Sequence, residues 1–211
     1  LCLCSVEHGN IDHRPYQRSA LPDAQKAQGK ALMCCAVPRG DVVIDVEGFT
    51  GAAAQAAEVH TATVAQLERL ADDVMRVLLQ LPEGKTLDFA AGQYIDILLD
   101  DGQRRAFSFA NRPHASSQIE LHIRLVPGGR FTTHVFEAMR VGDVLRFEGP
   151  RGSFTLREST HPILFVAGAT GLAPIKSIVE DAFERGVQRP MRLYWGVRQR
   201  KDLYLLALCE Q

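Results

Sequence analysis

The sequence predicts an all-β domain followed by a parallel α/β unit, and three observations predict it. First, six short runs rich in β-branched and aromatic residues occupy 61–67, 74–81, 93–99, 105–110, 119–126 and 144–148. Turn signals separate them: Pro82-Glu83-Gly84, Asp100-Asp101-Gly102 and Pro127-Gly128-Gly129. Strands at this spacing read as an antiparallel barrel or sandwich. Second, the period changes at Pro162. Residues 163–167 are wholly apolar, as expected of a strand covered on both faces, and Gly168-Ala169-Thr170-Gly171 follows. A helix is predicted from Pro174 to about Arg185, with the proline in its first turn and Gly186 as its stop. A second apolar strand at 192–197 completes a strand–turn–helix–strand unit. Third, residues 48–58 are rich in Gly and Ala without a strong period, which reads as a linker.

These features divide the chain into a head at 1–47, the linker at 48–58, a β domain at 59–157 and an α/β segment at 158–211. Within the head, 22–30 has helical composition and 42–46 reads as a strand. Within the β domain, 132–139 reads as a helix with Val135, Phe136 and Met139 at helical spacing. The chain starts at Leu1 and stops at Gln211 inside a helical pattern, so a fragment of a longer polypeptide is expected.

Composition excludes several classes. The 211 residues are 46% hydrophobic and 23% charged, with a formal net charge of -1. That is an ordinary globular balance, and no basic run with interleaved aromatics suggests nucleic acid. No apolar stretch reaches the ~18 residues of a membrane span. Residues 1–10 lack the basic start and apolar run of a secretory signal. Four of the five cysteines, Cys2, Cys4, Cys34 and Cys35, lie in the head, and Cys209 lies near the other end. An odd count with closely spaced pairs makes a poor disulfide framework and fits a reducing, cytoplasmic setting. Clustered thiols there raise metal ligation, although free thiols are the commoner case.

Three short motifs carry chemistry. Gly168 to Pro174 lies between a buried strand and a helix, where glycines and free helix N–H groups suit a phosphate. It does not match the GxGxxG dehydrogenase fingerprint. Arg105-Ala106-Phe107-Ser108 places a guanidinium and an aromatic ring on one strand face, with a hydroxyl beside them. Pro127 to Thr133 opens a helix on a double glycine, with Thr at the cap. Each motif alone is also what an ordinary turn or edge strand looks like.

Taken together, their order and spacing resemble the ferredoxin–NADP reductase superfamily, in particular the oxygenase-reductase group and relatives acting on CDP-6-deoxyhexose intermediates. Residues 91–97 resemble the strand before the flavin motif. Arg105 to Ser108 resembles the RxYS flavin motif, with Phe107 for the usual Tyr. Residues 126–136 resemble the FAD-diphosphate segment, and 165–177 the nicotinamide segment. Tyr194 to Arg198 with Asp202-Leu203-Tyr204 resembles the strand and helix that follow.

The resemblance implies a six-stranded antiparallel FAD-binding barrel and the first half of a nicotinamide-binding domain. They would be preceded by the tail of a β-grasp 2Fe–2S domain. Arg105 and the turn from Gly128 and Gly129 to Phe131 and Thr132 would hold the FAD diphosphate, with Ala106 and Val126 beside it. Phe107 would pack on the isoalloxazine, and Ser108 would sit near flavin N5 as the other catalytic residue. The backbone of His122, Ile123 and Arg124 would line the adenine side. His122 as a catalytic acid is weighed against the commoner structural histidine. Gly168, Thr170, Gly171, Pro174 and Arg198 would contact the nicotinamide cofactor. Ala169 stands where the family commonly has glycine, and a positive φ there would cost Ala ~1 kcal/mol. In the head, Cys34 resembles the distant ligand of a plant-type 2Fe–2S cluster and Cys4 the third. Cys2 does not fit the spacing, and the remaining ligands are not supplied. Cys35 is expected to be a buried apolar residue.

The function implied is electron transfer from NAD(P)H through FAD to a 2Fe–2S centre and on to an oxygenase, a dehydratase or a ferredoxin. The resemblance favours NADH. Arg198, Arg200 and Lys201 would suit a 2′-phosphate of NADPH, or form a solvated charge run. The alternatives are a flavin-binding adaptor or relic without turnover, and a simple flavin reductase without a cluster.

Overall fold

The computed structural model describes residues 3–46, 58–115 and 117–210. The linker expected at 48–58 lies almost entirely outside them. The chain forms two compact units, Leu1–Gln55 and Ala56–Gln211.

In the first unit, β1 (Leu3–His8) lies between β3 (Lys30–Leu32) and β5 (Val43–Asp45), antiparallel to both. A separate pair joins β2 (Ile11–His13) to β4 (Ala36–Pro38). The helix α1 is short, Asp23–Ala27, with Pro22 as its N-cap residue. Cys4, Leu21, Ala31 and Leu32 form the buried centre.

The second unit opens with a six-stranded antiparallel sheet in the order β10-β7-β6-β11-β8-β9. Its strands are β6 (Val59–Ala71), β7 (Val74–Gln80), β8 (Tyr94–Leu98), β9 (Arg104–Ser108), β10 (Gln118–Arg124) and β11 (Val144–Arg151). Period-2 alternation dictates this: Ile119, Leu121 and Ile123 of β10 face inward with Val77 and Leu79 of β7. Ile95, Ile97, Phe109 and Phe147 complete a core with no exposed surface. Each such side chain contributes about 1.5–3 kcal/mol. The sheet curls until its edges approach, and Phe109, just past β9, bridges Leu121 of β10. The helix α2 (Arg130–Glu137) buries Phe131 and Val135 in the same core.

β12 (Ile163–Gly168) and β13 (Met191–Gly196) pair in parallel, in register from Ile163–Met191 to Gly168–Gly196. The connecting helix α3 (Leu172–Glu184) lays Leu172, Ile175 and Ile178 on Ile163, Phe165 and Ala167. It stops where expected, since Gly186 takes φ +68° and Val187 N–H donates to the Ala182 carbonyl. Among the described residues only one face of β12 is covered: Leu164 and Val166 are exposed, as is Tyr194 of β13. A wholly apolar run cannot distinguish one-sided from two-sided cover, because it has apolar residues for both faces. The helical pattern at the end of the chain becomes α4 (Leu206–Cys209).

Candidate functional site

The barrel edge and the first turn of α2 are brought together by two contacts. Arg130 donates to Asp101 in the β8–β9 turn at 2.7 Å, and the Phe107 and Phe131 rings lie 5.5 Å apart. Arg105 and Phe107 share one face of β9, opposite Ile97 and Ile95, while Ser108 points the other way, paired with Tyr94. Arg105 donates to the Arg104 carbonyl at 2.8 Å and to Gln103 Oε1 at 2.5 Å. Both acceptors are neutral, so the guanidinium charge is uncompensated by any carboxylate among the described residues. Arg104, in contrast, is paired to Glu148 at 2.9 Å. Burial works to raise the Glu148 pKa, but hydrogen bonds from Arg104 and Arg151 outweigh it and hold the carboxyl below its usual range.

The glycine turn before α2 behaves differently from expectation in one detail. The N-cap residue is Gly129, and no side chain caps the helix. Thr132 sits in the first turn instead. Its Oγ1 accepts the Val126 N–H at 3.1 Å and lies 3.1 Å from the Gly129 carbonyl oxygen. The hydroxyl therefore closes the loop rather than the helix, and the first-turn N–H groups are left for an anion. Gly128 adopts φ +75° with open space where a side chain would stand. At Gly129 a Cβ would lie 2.7 Å from Thr132 Oγ1 and 3.1 Å from the Val126 carbonyl oxygen. The turn thus leaves a side-chain-free cradle at the start of the helix whose Phe131 meets Phe107 on the Arg105 strand, and these residue types fit a diphosphate.

The second glycine turn sits at the carboxyl ends of β12 and β13, where parallel sheets bind ligands. A cleft of about 340 Å³ opens there, lined by Gly168, Ala169, Gly196, Val197, Arg198, Asp202 and Tyr204. Asp73, Val74 and Arg124 of the barrel form its far wall. Gly168 and Gly171 have open space around them. Gly171 is the N-cap residue of α3, again without a side-chain cap, and Pro174 lies in the first turn. Ala169 has φ +47°, the left-handed region that disfavours a Cβ. Arg198 is exposed at the cleft and has no carboxylate partner among the described residues, whereas Lys201 donates to Asp72 at 2.6 Å.

A polar seam joins barrel and α/β segment. Lys176 donates to the Ala110 carbonyl at 2.9 Å, and Ser177 to the Asn111 carbonyl at 2.7 Å. These bonds pin the chain just after Ser108 onto the helix that starts at the Gly168–Gly171 turn. His122 is buried, with Nε2 2.8 Å from Glu120 and Nδ1 3.1 Å from the Tyr204 hydroxyl. Burial opposes ionisation of Glu120, yet the His122 hydrogen bond and the Lys176 charge hold its pKa below the usual range. Burial pushes the Tyr204 phenol far up, so it stays neutral. Both His122 ring nitrogens are engaged in the seam, Ile123 faces the barrel core, and Arg124 is bound to Asp73 at 2.7 Å. Trp195 lies edge-on to Tyr204 and donates its indole N–H to the Ala169 carbonyl at 2.9 Å. Sequence reasoning missed Glu120, Lys176, Ser177 and Trp195, because their partners lie far along the chain.

In the first unit, Cys4 is buried opposite Ala31 and its Sγ donates to that carbonyl at 3.5 Å. Burial raises its pKa, which disfavours the thiolate. Cys34 is exposed, with its Sγ 3.7 Å from that of Cys35. Cys35 is half-exposed rather than buried. Among the described residues no group of three or more His, Cys, Asp or Glu is placed to hold a metal. The thiols described here therefore do not make up a complete cluster site.

The fold, a β domain with a glycine turn followed by an α/β unit with another, is that of FAD- and NAD-binding domains found in oxidoreductases. Residues 61–156 match the family described as oxidoreductase FAD-binding domain, and 165–211 the oxidoreductase NAD-binding domain. The chain belongs to the ferredoxin reductase superfamily. It is 40% identical over 205 residues to terephthalate 1,2-dioxygenase, reductase component 1, of a Comamonas species, covering 97% of this chain and 60% of that protein. It is 34% identical over 203 residues to the CDP-6-deoxy-L-threo-D-glycero-4-hexulose-3-dehydrase reductase of Yersinia pestis, covering 96% and 61%. Among solved structures, the Amycolatopsis cytochrome P450 reductase GcoB superposes with a TM-score of 0.71 at 35% identity, covering 98% of this chain and 63% of that one. The chain thus spans about 60% of the length of these curated relatives. Among the described residues, no helix is long and apolar enough to cross a membrane.

Proposed function

We propose that the chain is the FAD- and nicotinamide-handling part of a cytoplasmic reductase that draws electrons from NAD(P)H, with NADH favoured. The observation that supports it best is the pairing, in one unit, of the uncapped Gly128–Gly129 turn with the open cleft at Gly168 and Gly171. The segment 109–111, pinned to α3, links the two. When bound, FAD supplies the conversion of a two-electron hydride into single electrons.

The residues bind and orient. Arg105 and the first-turn amides of Phe131 and Thr132 hold the diphosphate, with Ala106 and Val126 flanking it. Phe107, half-buried against Phe131, offers its remaining face to the flat ring. Ser108 presents its hydroxyl to a ring nitrogen. The backbone of His122, Ile123 and Arg124 lines the adenine side, while the His122 ring serves the seam. Gly168, Thr170, Gly171, Pro174 and Arg198 hold the nicotinamide dinucleotide. The acceptor is a 2Fe–2S centre serving an oxygenase, dehydratase or ferredoxin partner, in line with the relatives' descriptions. Cys34 and Cys4 are two of the thiols assigned to that centre.

The test is NADH- or NADPH-dependent reduction of ferricyanide by FAD-loaded protein. Bleaching of the flavin absorbance on adding either nucleotide is expected, and an unchanged spectrum with both sinks the reading. The strained Ala169 favours a second reading, a flavin-binding module without turnover. Yellow protein that leaves both nucleotides unoxidised would identify it.

A further inference from the structure

Ala169 is the only non-glycine residue with positive φ among the described residues, and it sits in the turn that would meet a dinucleotide. Locally its carbonyl accepts only the Leu172 N–H that closes a single turn. A second donor comes from elsewhere: the Trp195 indole N–H reaches the same carbonyl at 2.9 Å. Trp195 is the single tryptophan of the chain. Its ring lies 5.1 Å from Tyr204 at 89°. Tyr204 in turn meets the buried His122 of the barrel, ring to ring at 5.3 Å and hydroxyl to Nδ1 at 3.1 Å. Glu120 fixes the other nitrogen of that imidazole at 2.8 Å. A continuous chain of contacts thus runs from barrel strand β10 to the carbonyl of one strained residue.

We propose that Trp195 is the positioning residue of the nucleotide site, clamping Ala169 in its left-handed conformation, with Tyr204 anchoring the clamp to the barrel. The inference rests on the nicotinamide-binding reading above. The clamp does for Ala169 what glycine would do by itself. A left-handed Ala carries strain that a relaxed turn would shed. A turn that relaxed would swing its N–H groups and the open face of Gly168 and Gly171 away from the cleft. Trp195 does not need to touch the nucleotide to set its affinity.

The decisive experiment is a double-mutant cycle on the full, FAD-loaded chain, with NADH and NADPH titrated by calorimetry. Trp195→Phe keeps a ring but loses the donor. It should weaken binding of the preferred nucleotide about fivefold, the worth of one net hydrogen bond. In the Ala169→Gly background the same change should cost less than about twofold, because glycine holds positive φ unaided. Equal penalties in both backgrounds would overturn the clamp. Tyr204→Phe keeps the indole bond and loses only the anchor. It should weaken binding about twofold in the Ala169 background, and a penalty equal to that of Trp195→Phe would overturn the division of roles. Because Trp195 is the sole indole, its fluorescence in the unmodified chain should shift on adding NAD+ or NADP+, and an unmoved spectrum at saturation would also overturn the clamp. Nucleotide that binds without bleaching the flavin breaks the reductase reading and leaves the cycle readable. Flavin that bleaches with equal penalties breaks the clamp alone.

Discussion

The two glycine turns of the second unit, both proposed to meet a dinucleotide's phosphates, are held by different means. At Gly128–Gly129 the left-handed position is a glycine, the crowded position is a glycine, and Thr132 four residues on closes the loop. Everything the turn needs lies within seven residues. At Gly168–Gly171 the left-handed position is Ala169, whose carbonyl accepts the neighbouring Leu172 N–H and also the indole N–H of Trp195, 26 residues away. The first turn is specified locally, and the second draws on tertiary structure as well. A local turn keeps its geometry whenever the barrel is folded, whereas the second keeps it only while β13 and the seam stay in place.

The largest effect is expected where the local turn meets charge. Arg105→Ala removes the exposed guanidinium proposed to hold the diphosphate and leaves the core untouched. FAD affinity should fall by about 2 kcal/mol, roughly thirtyfold, since hydrogen bonds to charged groups carry that much. Flavin titration of the apoprotein measures it. Unchanged affinity would detach the first turn from the flavin.

Reciprocal substitutions at the two left-handed positions should have opposite signs. Gly128→Ala introduces a Cβ at φ +75° into open space, so only backbone strain opposes it. It should destabilise the protein by about 1 kcal/mol in urea unfolding. Ala169→Gly relieves the same kind of strain but frees the unfolded chain, and the balance is a gain of about 0.5 kcal/mol. Should Ala169→Gly destabilise, the turn is not under the tension that the comparison assigns to it.

Legibility in the sequence follows the same division. The alternating strands, the glycine stop of α3 and the positions of all three motifs could be read directly, because each depends on neighbours within one element. Thr132 was read as a helix cap, since Thr beside glycine at a helix start has that role more often; the loop-closing bond to Val126 needs the turn's actual path. The resemblance puts the His122 backbone on the adenine side. Its imidazole is held by Tyr204, 82 residues on, which no local pattern announces. The one sequence clue to the second turn's dependence was Ala169 itself, an alanine where a glycine was expected. The clue gave the strain but not the residue that bears it.

The smallest effect concerns the seam that anchors the second turn. Glu120 sits among His122, Lys176 and, on the same sheet face, Arg76, while Tyr204 and Glu180 reach the group from the α/β side. Its pKa is depressed in the folded state from an ordinary 4.5. A depressed carboxylate contributes stability that is fully present above the unfolded value and is lost as pH falls through the folded one. The Trp195 fluorescence that reports the seam should therefore hold steady from neutral pH to about 4.5 and change below it. Glu120→Gln keeps the hydrogen-bonding shape but cannot titrate, so the part of the acid transition owed to this group should vanish. The carboxylate beside the Gly128–Gly129 turn is a different one, Asp101 on Arg130 at 2.7 Å, and flavin binding at that cradle should be indifferent to Glu120→Gln at pH 7. If the variant moved flavin affinity there as much as it moved the acid transition, the two turns would share one support and the contrast between them would fail.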